Sequence, residues 1–159
     1  PTFLYSYNLD KSFITEKIKD YINNYPNLLN QDILFESHGD LVDGILVFFL
    51  KHFMKNKACL MIGGSPIYKL LRKEMPGKFN KMKFLGISDY FNEKDNINSN
   101  LKLKRVELIS DRRYCLIDES LLIGFFKMID NHFSGYITSN KELINNKLLE
   151  FEAIWDSKL

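Results

Sequence analysis

The 159-residue sequence has only two cysteines, one tryptophan and no long hydrophobic run. Its longest apolar stretch, Ile45–Leu50, is far shorter than the roughly 20 residues that a membrane helix needs. The first residues also lack the basic and apolar segments of a secretion signal. Cys59 and Cys115 lie inside apolar segments, where a thiol behaves as a small buried hydrophobe. The sequence therefore predicts no membrane partner and a reducing compartment, the cytoplasm.

Motifs for metal binding and catalysis are equally scarce. The three histidines, His38, His52 and His132, are far apart and have neither H-x-x-x-H spacing nor a neighbouring C-x-x-C pair. No G-x-S-x-G nucleophile motif occurs, so nothing supports a serine hydrolase triad. We therefore expect no metal and no cofactor.

Positive and negative charges are nearly balanced, because 22 basic and 20 acidic side chains give a formal net charge of +2. The two signs are mixed along the chain, so charge alone does not favour nucleic acid or anionic lipid as a partner. The hydrophobic content of 45% at this length is enough to bury one core. We predict a single domain over residues 1–159.

Periodicity predicts helices at both ends of the chain and a strand-turn-helix unit between them. Ser12–Tyr25 has the apolar spacing of an amphipathic helix and stops before Pro26, whereas Asp40–Lys55 is apolar around most of its circumference, as in a helix buried in a core or an interface. Lys57–Ile62 is a predicted strand, followed by a glycine turn and a helix with Ser65 as N-cap. In the last helix Ser139 and Glu142 have capping-box spacing.

The middle and C-terminal parts of the chain read as strands separated by turns. An exposed loop is predicted near residues 89–100, where polar turn formers show no periodicity. The expected fold class is α/β, with a mixed central sheet flanked by helices. The predicted strands are Lys81–Ile87, Leu101–Ile109, Tyr114–Ile117, Ser120–Phe126 and Gly135–Ile137.

Two polar features allow both a structural and a ligand-binding interpretation. The turn Gly63, Gly64, Ser65 precedes a helix, whose first backbone N–H groups favour a phosphate or carboxylate, although tight turn geometry alone also explains the glycines. Lys102 and Lys104 alternate on one strand and share a face. They either contact phosphate or form a solvated edge that discourages strand pairing.

The segment ELISDRRYCLIDESLLIGFF and the residues after it resemble the C-terminal part of a phospholipase-D-like half. That superfamily carries H-x-K-x(4)-D followed by a Gly-Ser pair, and two halves form one site. Aligned on Asp118, the chain has Asp111 in place of the histidine and Arg113 in place of the lysine, and Phe125 follows Gly124 where serine is expected. The resemblance implies loss of the nucleophilic histidine, and hence of the family's catalysis.

The ending, a strand GYITS and a helix closing in LLEFEAIWDS, is similar to the sensor domains of TrmB-type transcription regulators. Those domains are phospholipase-D-like and non-catalytic. The resemblance implies a regulatory domain that binds a small anionic ligand or a protein partner and forms a homodimer. Its predicted ligand-binding residues are Gly63, Gly64, Ser65 and Arg113.

Two alternatives to this hypothesis stay open, together with nucleic acid as a partner. One is a dimeric phosphodiesterase or nuclease with an altered active site. The other is a structural subunit of a larger assembly, held through the apolar helix Asp40–Lys55. The candidate catalytic residues of the first alternative are Asp111, Arg113, Asp118 and Lys127.

Overall fold

A computed structural model describes residues 2–3, 33–91, 99–105, 107, 113–127 and 132–158. The predicted helix over Ser12–Tyr25 and the candidate residue Asp111 lie outside these ranges. No helix in the described ranges is long and apolar enough to cross a membrane.

Eight strands of the described chain form one sheet, in the order β1-β2-β8-β7-β6-β3-β4-β5. Strands β3, β4 and β5 run parallel, whereas β6, β7 and β8 form an antiparallel meander that joins β3 through β6. The predicted mixed sheet is therefore confirmed. The strands are β1 (Thr2–Phe3), β2 (Ile33–His38), β3 (Ala58–Ile62), β4 (Met82–Ile87), β5 (Leu101–Lys104), β6 (Arg113–Ile117), β7 (Leu121–Lys127) and β8 (His132–Thr138).

Three helices within the described ranges cover the two faces of the sheet. Helices α1 (Gly39–Phe53) and α2 (Ser65–Glu74) pack on one face, and α3 (Lys141–Asp156) packs on the other. Strands such as β3, ACLMI, are apolar on both faces because helices cover both of them. The layers are thus helix, sheet, helix.

The apolar circumference of α1 is buried inside the chain and is not an open interface. Val42 and Leu50 are fully buried and Phe49 nearly so, and all belong to the core between the helices and the sheet. The prediction that this helix is buried in a core is therefore confirmed, and only Phe48 and Phe53 of its apolar side chains in the core cluster stay partly buried.

Several predicted boundaries are shifted by tertiary contacts. The N-cap of α2 is Gly64 and not Ser65, and the N-cap of α3 is Asn140, whose side chain accepts the N–H groups of Glu142 and Leu143, and not Ser139. The strand predicted over Leu101–Ile109 ends at Lys104. The loop predicted near 89–100 is shorter at its C-terminal end, because Asn100 is buried and donates to the carbonyl of Phe79.

The two lysines of β5 close the C-terminal end of α3. Lys102 Nζ donates to the carbonyl of Trp155 at 3.0 Å, and Lys104 Nζ donates to the carbonyl and hydroxyl of Ser157 at 2.7 and 3.2 Å. Lys104 is only 5% exposed, and this burial lowers the pKa of its ammonium, as does the neighbouring Lys102. The interpretation as a solvated edge is wrong, because both cations neutralise the negative end of a helix dipole.

We expect Lys104→Met to loosen this end of α3 and to lower the free energy of unfolding by about 1–2 kcal/mol, because two helix-end acceptors lose their donor. Chemical denaturation measures the loss, and Trp155 fluorescence reports the local change. The exposed Lys158, changed to Met, is the matched control. Equal stability of both variants would contradict a capping role for Lys104.

Candidate functional site

The carboxyl end of β3 carries the glycine turn, and the first residue of β6 lies beside it. Strand β6 runs antiparallel to β3 with Met61 opposite Tyr114, so Arg113 falls next to the turn. A Cβ atom added at Gly63 would lie only 3.0 Å from Arg113 Nη2 and 3.1 Å from Nε. Glycine at this position is what allows the guanidinium to lie along the backbone.

Arg113 faces one acidic side chain, Asp43 on α1. Nη1 of Arg113 and Oδ1 of Asp43 are 3.7 Å apart, and both side chains are about one-third exposed. At this distance the two side chains form an ion pair but not a hydrogen bond. The Arg113 side chain makes no hydrogen bond to a residue in the described ranges, so its planar N–H fork is available to a ligand.

The N-terminus of α2 lies at the same place and has no side-chain cap. Its N-cap residue is Gly64 in extended conformation, and Pro66 occupies the second helical position. The first N–H groups of a helix lack intrahelical partners, and the dipole makes that end positive. Tyr90, 63% exposed, packs against Gly64. The guanidinium, the helix end and the Tyr90 side chain therefore lie beside the same two glycines.

Asp118, the acid that matches the resembled motif, lies at the other end of β6. Its Oδ2 accepts the N–H of Lys55 at 2.7 Å, and its Oδ1 accepts the N–H groups of Asn56 and Lys57 at 2.8 and 2.9 Å. Four residues at about 3.3 Å each separate Arg113 from Ile117 by roughly 13 Å, and Asp118 comes one residue later. Asp118 and Arg113 of one chain do not share a site.

The environment of Asp118 is that of a structural carboxylate. Burial on its own would raise the pKa of this carboxyl, but the three backbone donors outweigh burial and hold the pKa below its usual value. Asp118 and Glu119 both have positive φ angles, 52° and 56°, in the turn between β6 and β7. The carboxylate thus ties a strained turn to the α1–β3 connection.

No family model and no curated protein matches the sequence. Among solved structures, the archaeal chromatin protein TrmBL2 is similar over 92% of this chain with a TM-score of 0.58 and 10% identity. The chain shares its fold with TrmBL2. It spans 61% of the TrmBL2 chain. Nuc from Salmonella typhimurium, a phospholipase D family member, is similar over 79% of this chain and 95% of its own, with 14% identity and a TM-score of 0.46.

The resemblance predicted from the sequence is confirmed at the level of the fold by the similarity to TrmBL2. Within that fold the structure brings together the glycine turn and Arg113, which were predicted as ligand-binding residues on separate grounds. Arg113 pairs with Phe125 of β7, and β7 ends two residues later at Lys127. The backbone of Lys127 therefore lies at the same edge of the sheet as Arg113. Asp118 and Arg113 lie at opposite ends of β6, and their joint role in a dimeric enzyme stays a prediction.

Sequence reasoning missed Asp43 and Tyr90 as neighbours of the glycine turn. Sequence reasoning gave Asp43 no place in a site, and it placed Tyr90 only in the predicted loop near residues 89–100. Neither residue has a local signal, because their proximity arises from packing of α1 and the β4 end around the turn. Only the tertiary fold could reveal them.

Proposed function

We propose that this domain is a non-catalytic, regulatory binding module that takes a small anionic ligand at the turn Gly63, Gly64, Ser65, with Arg113 as the principal contact. The observation that carries the proposal is the position of the Arg113 guanidinium, which lies along Gly63 beside the uncapped start of α2. Charge-assisted hydrogen bonds from a planar guanidinium suit carboxylate or phosphate oxygens.

Asp43 supports this proposal by its geometry. At 3.7 Å it is close enough to orient the Arg113 side chain but too far to accept a short hydrogen bond. An anion that approaches from solvent can therefore bond to nitrogen atoms that Asp43 leaves unbonded. The acidic neighbour also reduces the local positive charge, which favours a small ligand with specific geometry over a polyanion.

The position of Asp118 supports a phosphodiesterase less well than it supports a non-catalytic module. A phosphodiesterase needs a carboxylate that acts on water beside a phosphate-binding cation. Both oxygens of Asp118 are occupied by backbone donors, and the residue lies at the other sheet edge from Arg113.

The likeness to a chromatin protein supports a regulatory setting and a cytoplasmic location as further parts of the proposal.

Replacing Arg113 with glutamine tests the proposed ligand site. We expect inorganic phosphate or a small dicarboxylate to bind at least about tenfold more weakly to Arg113→Gln than to the wild type, because a charge-assisted contact is lost. Isothermal titration calorimetry measures the affinities. Arg72→Gln, near the far end of α2 and over the Tyr68 ring, is the matched control and should bind as the wild type does. Equal affinities for all three proteins would overturn the proposal.

We further propose that the module self-associates, since family halves pair, but through a surface other than α1. Sedimentation at micromolar concentration measures the mass. A monomer that stays monomeric with and without phosphate would contradict this part of the proposal and leave the calorimetric test of the ligand site unaffected.

A further inference from the structure

A cavity lies on the α3 side of the sheet, at the edge away from the glycine turn. It has a volume of about 250 Å³ and opens between the first residues of β3 and β4, the β6–β7 turn and the second half of α3. Its lining residues do not include Arg113 or any residue of the glycine turn. The cavity is therefore a separate place on the surface, independent of the proposed anion site.

The floor of this cavity is apolar and aromatic. Phe151 and Trp155 stack with ring centroids 6.0 Å apart and 16° between planes, and Leu148 and Cys59 extend the floor. Phe151 is buried, but Trp155, Leu148 and Cys59 are only half-buried. A ligand that covers apolar surface and removes it from water lowers the free energy of the complex. The Lys102 contact to the Trp155 carbonyl holds this floor in place.

The rim carries opposite charges on opposite walls. Lys81 and Lys83 lie on the β4 wall, and Glu152 and Asp156 lie on α3. None of these four forms an ion pair with another residue in the described ranges, whereas Lys57 and Glu119, also on the rim, pair with each other at 2.8 Å. Lys83 Nζ also lies 5.3 Å from the centroid of the Trp155 ring, and the charge of Asp156 acts on Lys104. The cavity thus offers two cations and two anions that form no ion pair in the described part of the chain.

The two acids of this rim lie at the end of a helix that electrostatics makes unfavourable for carboxylates. Glu152 and Asp156 belong to the last two turns of α3, where the helix dipole disfavours carboxylates, and no basic residue occurs in the last turn. Departures from local preference that a fold keeps are commonly found at functional sites. Lys102 and Lys104 already offset the dipole at the last carbonyls of α3, and a ligand ammonium would add an opposite charge beside Glu152 and Asp156 themselves.

We infer that this cavity binds a free α-amino acid with a large apolar side chain. The side chain covers Trp155 and Phe151, the carboxylate meets Lys81 and Lys83, and the ammonium meets Glu152 and Asp156. A simple anion would face repulsion from the α3 wall, and a simple cation would face repulsion from the β4 wall. Only a zwitterion with an apolar body complements both walls and the floor.

Trp155 is the single tryptophan of the chain, so its fluorescence reports directly on the cavity. We expect L-phenylalanine and L-leucine to change Trp155 emission saturably and to raise the Tm. Phenylpropanoate, which lacks the ammonium, and phenethylamine, which lacks the carboxylate, should each bind about fivefold or more weakly than phenylalanine. If either analogue binds as tightly as phenylalanine, the zwitterion proposal is wrong.

Two charge variants locate the binding. Lys83→Gln and Glu152→Gln should each weaken phenylalanine binding about fivefold or more, whereas Lys73→Gln on α2 and Glu142→Gln at the start of α3 should not. Arg113→Gln should also leave it unchanged, which separates this site from the glycine turn. Loss of the response in Arg113→Gln, or no response of the wild type to either amino acid, would overturn the proposal. So would a change of Trp155 emission on dilution without ligand, which would show a second copy covering the cavity.

Discussion

Asp118→Ala is expected to lower the free energy of unfolding by about 3 kcal/mol, since three backbone N–H groups lose a charged acceptor together. Alanine also tolerates the φ of 52° less well than aspartate does. Chemical denaturation measures the change. Glu119→Ala is the matched control, because Glu119 shares the turn and the positive φ but makes only an exposed ion pair with Lys57. That variant should lose less than about 1 kcal/mol.

The effect of Asp118 should depend on pH in one direction. The pKa of its carboxyl is lower in the folded chain than in the unfolded chain, so its stabilisation is complete above the unfolded value, near pH 4, and is lost as the pH falls through the folded value. The difference in stability between the wild type and Asp118→Asn should therefore shrink in acid. A difference that stays constant down to the lowest pH at which both fold would contradict the role of the charge.

Gly124→Ala is expected to destabilise the protein by about 2–3 kcal/mol through overpacking. Gly124 lies opposite Tyr136 of β8, and a Cβ atom at this position would overlap the Tyr136 ring, at Cζ, Cε1 and the hydroxyl oxygen. Gly77→Ala is the matched control, because nothing lies within 4 Å of a Cβ there. It should be neutral or slightly stabilising, since alanine restricts the unfolded chain. Thermal denaturation of both variants measures the contrast.

A double-mutant cycle with Tyr136→Ala identifies the cause of the Gly124 effect. With the ring removed, alanine at position 124 should cost less than about 0.5 kcal/mol relative to glycine. A penalty of the same size in both backgrounds would mean that the backbone of β7, and not the Tyr136 ring, requires glycine. Position 124 is also where the resembled family has its Gly-Ser pair, so the result would give this glycine a packing role.

Sequence reasoning recovers those parts of the fold that depend on local patterns. The unit of β3, the glycine turn and α2 was predicted nearly to its bounds, because strand, glycines, proline and helix follow each other in the sequence. Strand β2 was missed, since six residues with mixed side chains carry no signal apart from their pairing with β8. The strand order was likewise inaccessible, because it depends on contacts between distant segments.

The candidate site shows the same division. Gly63 and Arg113 were both singled out, yet their contact depends on the register of β6 against β3, which no periodicity specifies. Asp118 was interpreted as a motif acid, and its actual partners are the backbone of residues some sixty positions earlier in the chain. A motif fixes which residue types occur, whereas the partners of each side chain depend on the tertiary fold.

The strand order also bears on how fast the chain folds. The meander β6–β8 pairs neighbours through short turns, but β3 joins β6 and β2 joins β8 across long stretches of chain. Closing a long loop between two strands costs conformational entropy before the contacts between the strands stabilise it. Folding rates therefore fall as contacts become less local. The two ends of β3 thus support the glycine turn and the cavity only after β6, a segment far along the chain, has paired with β3.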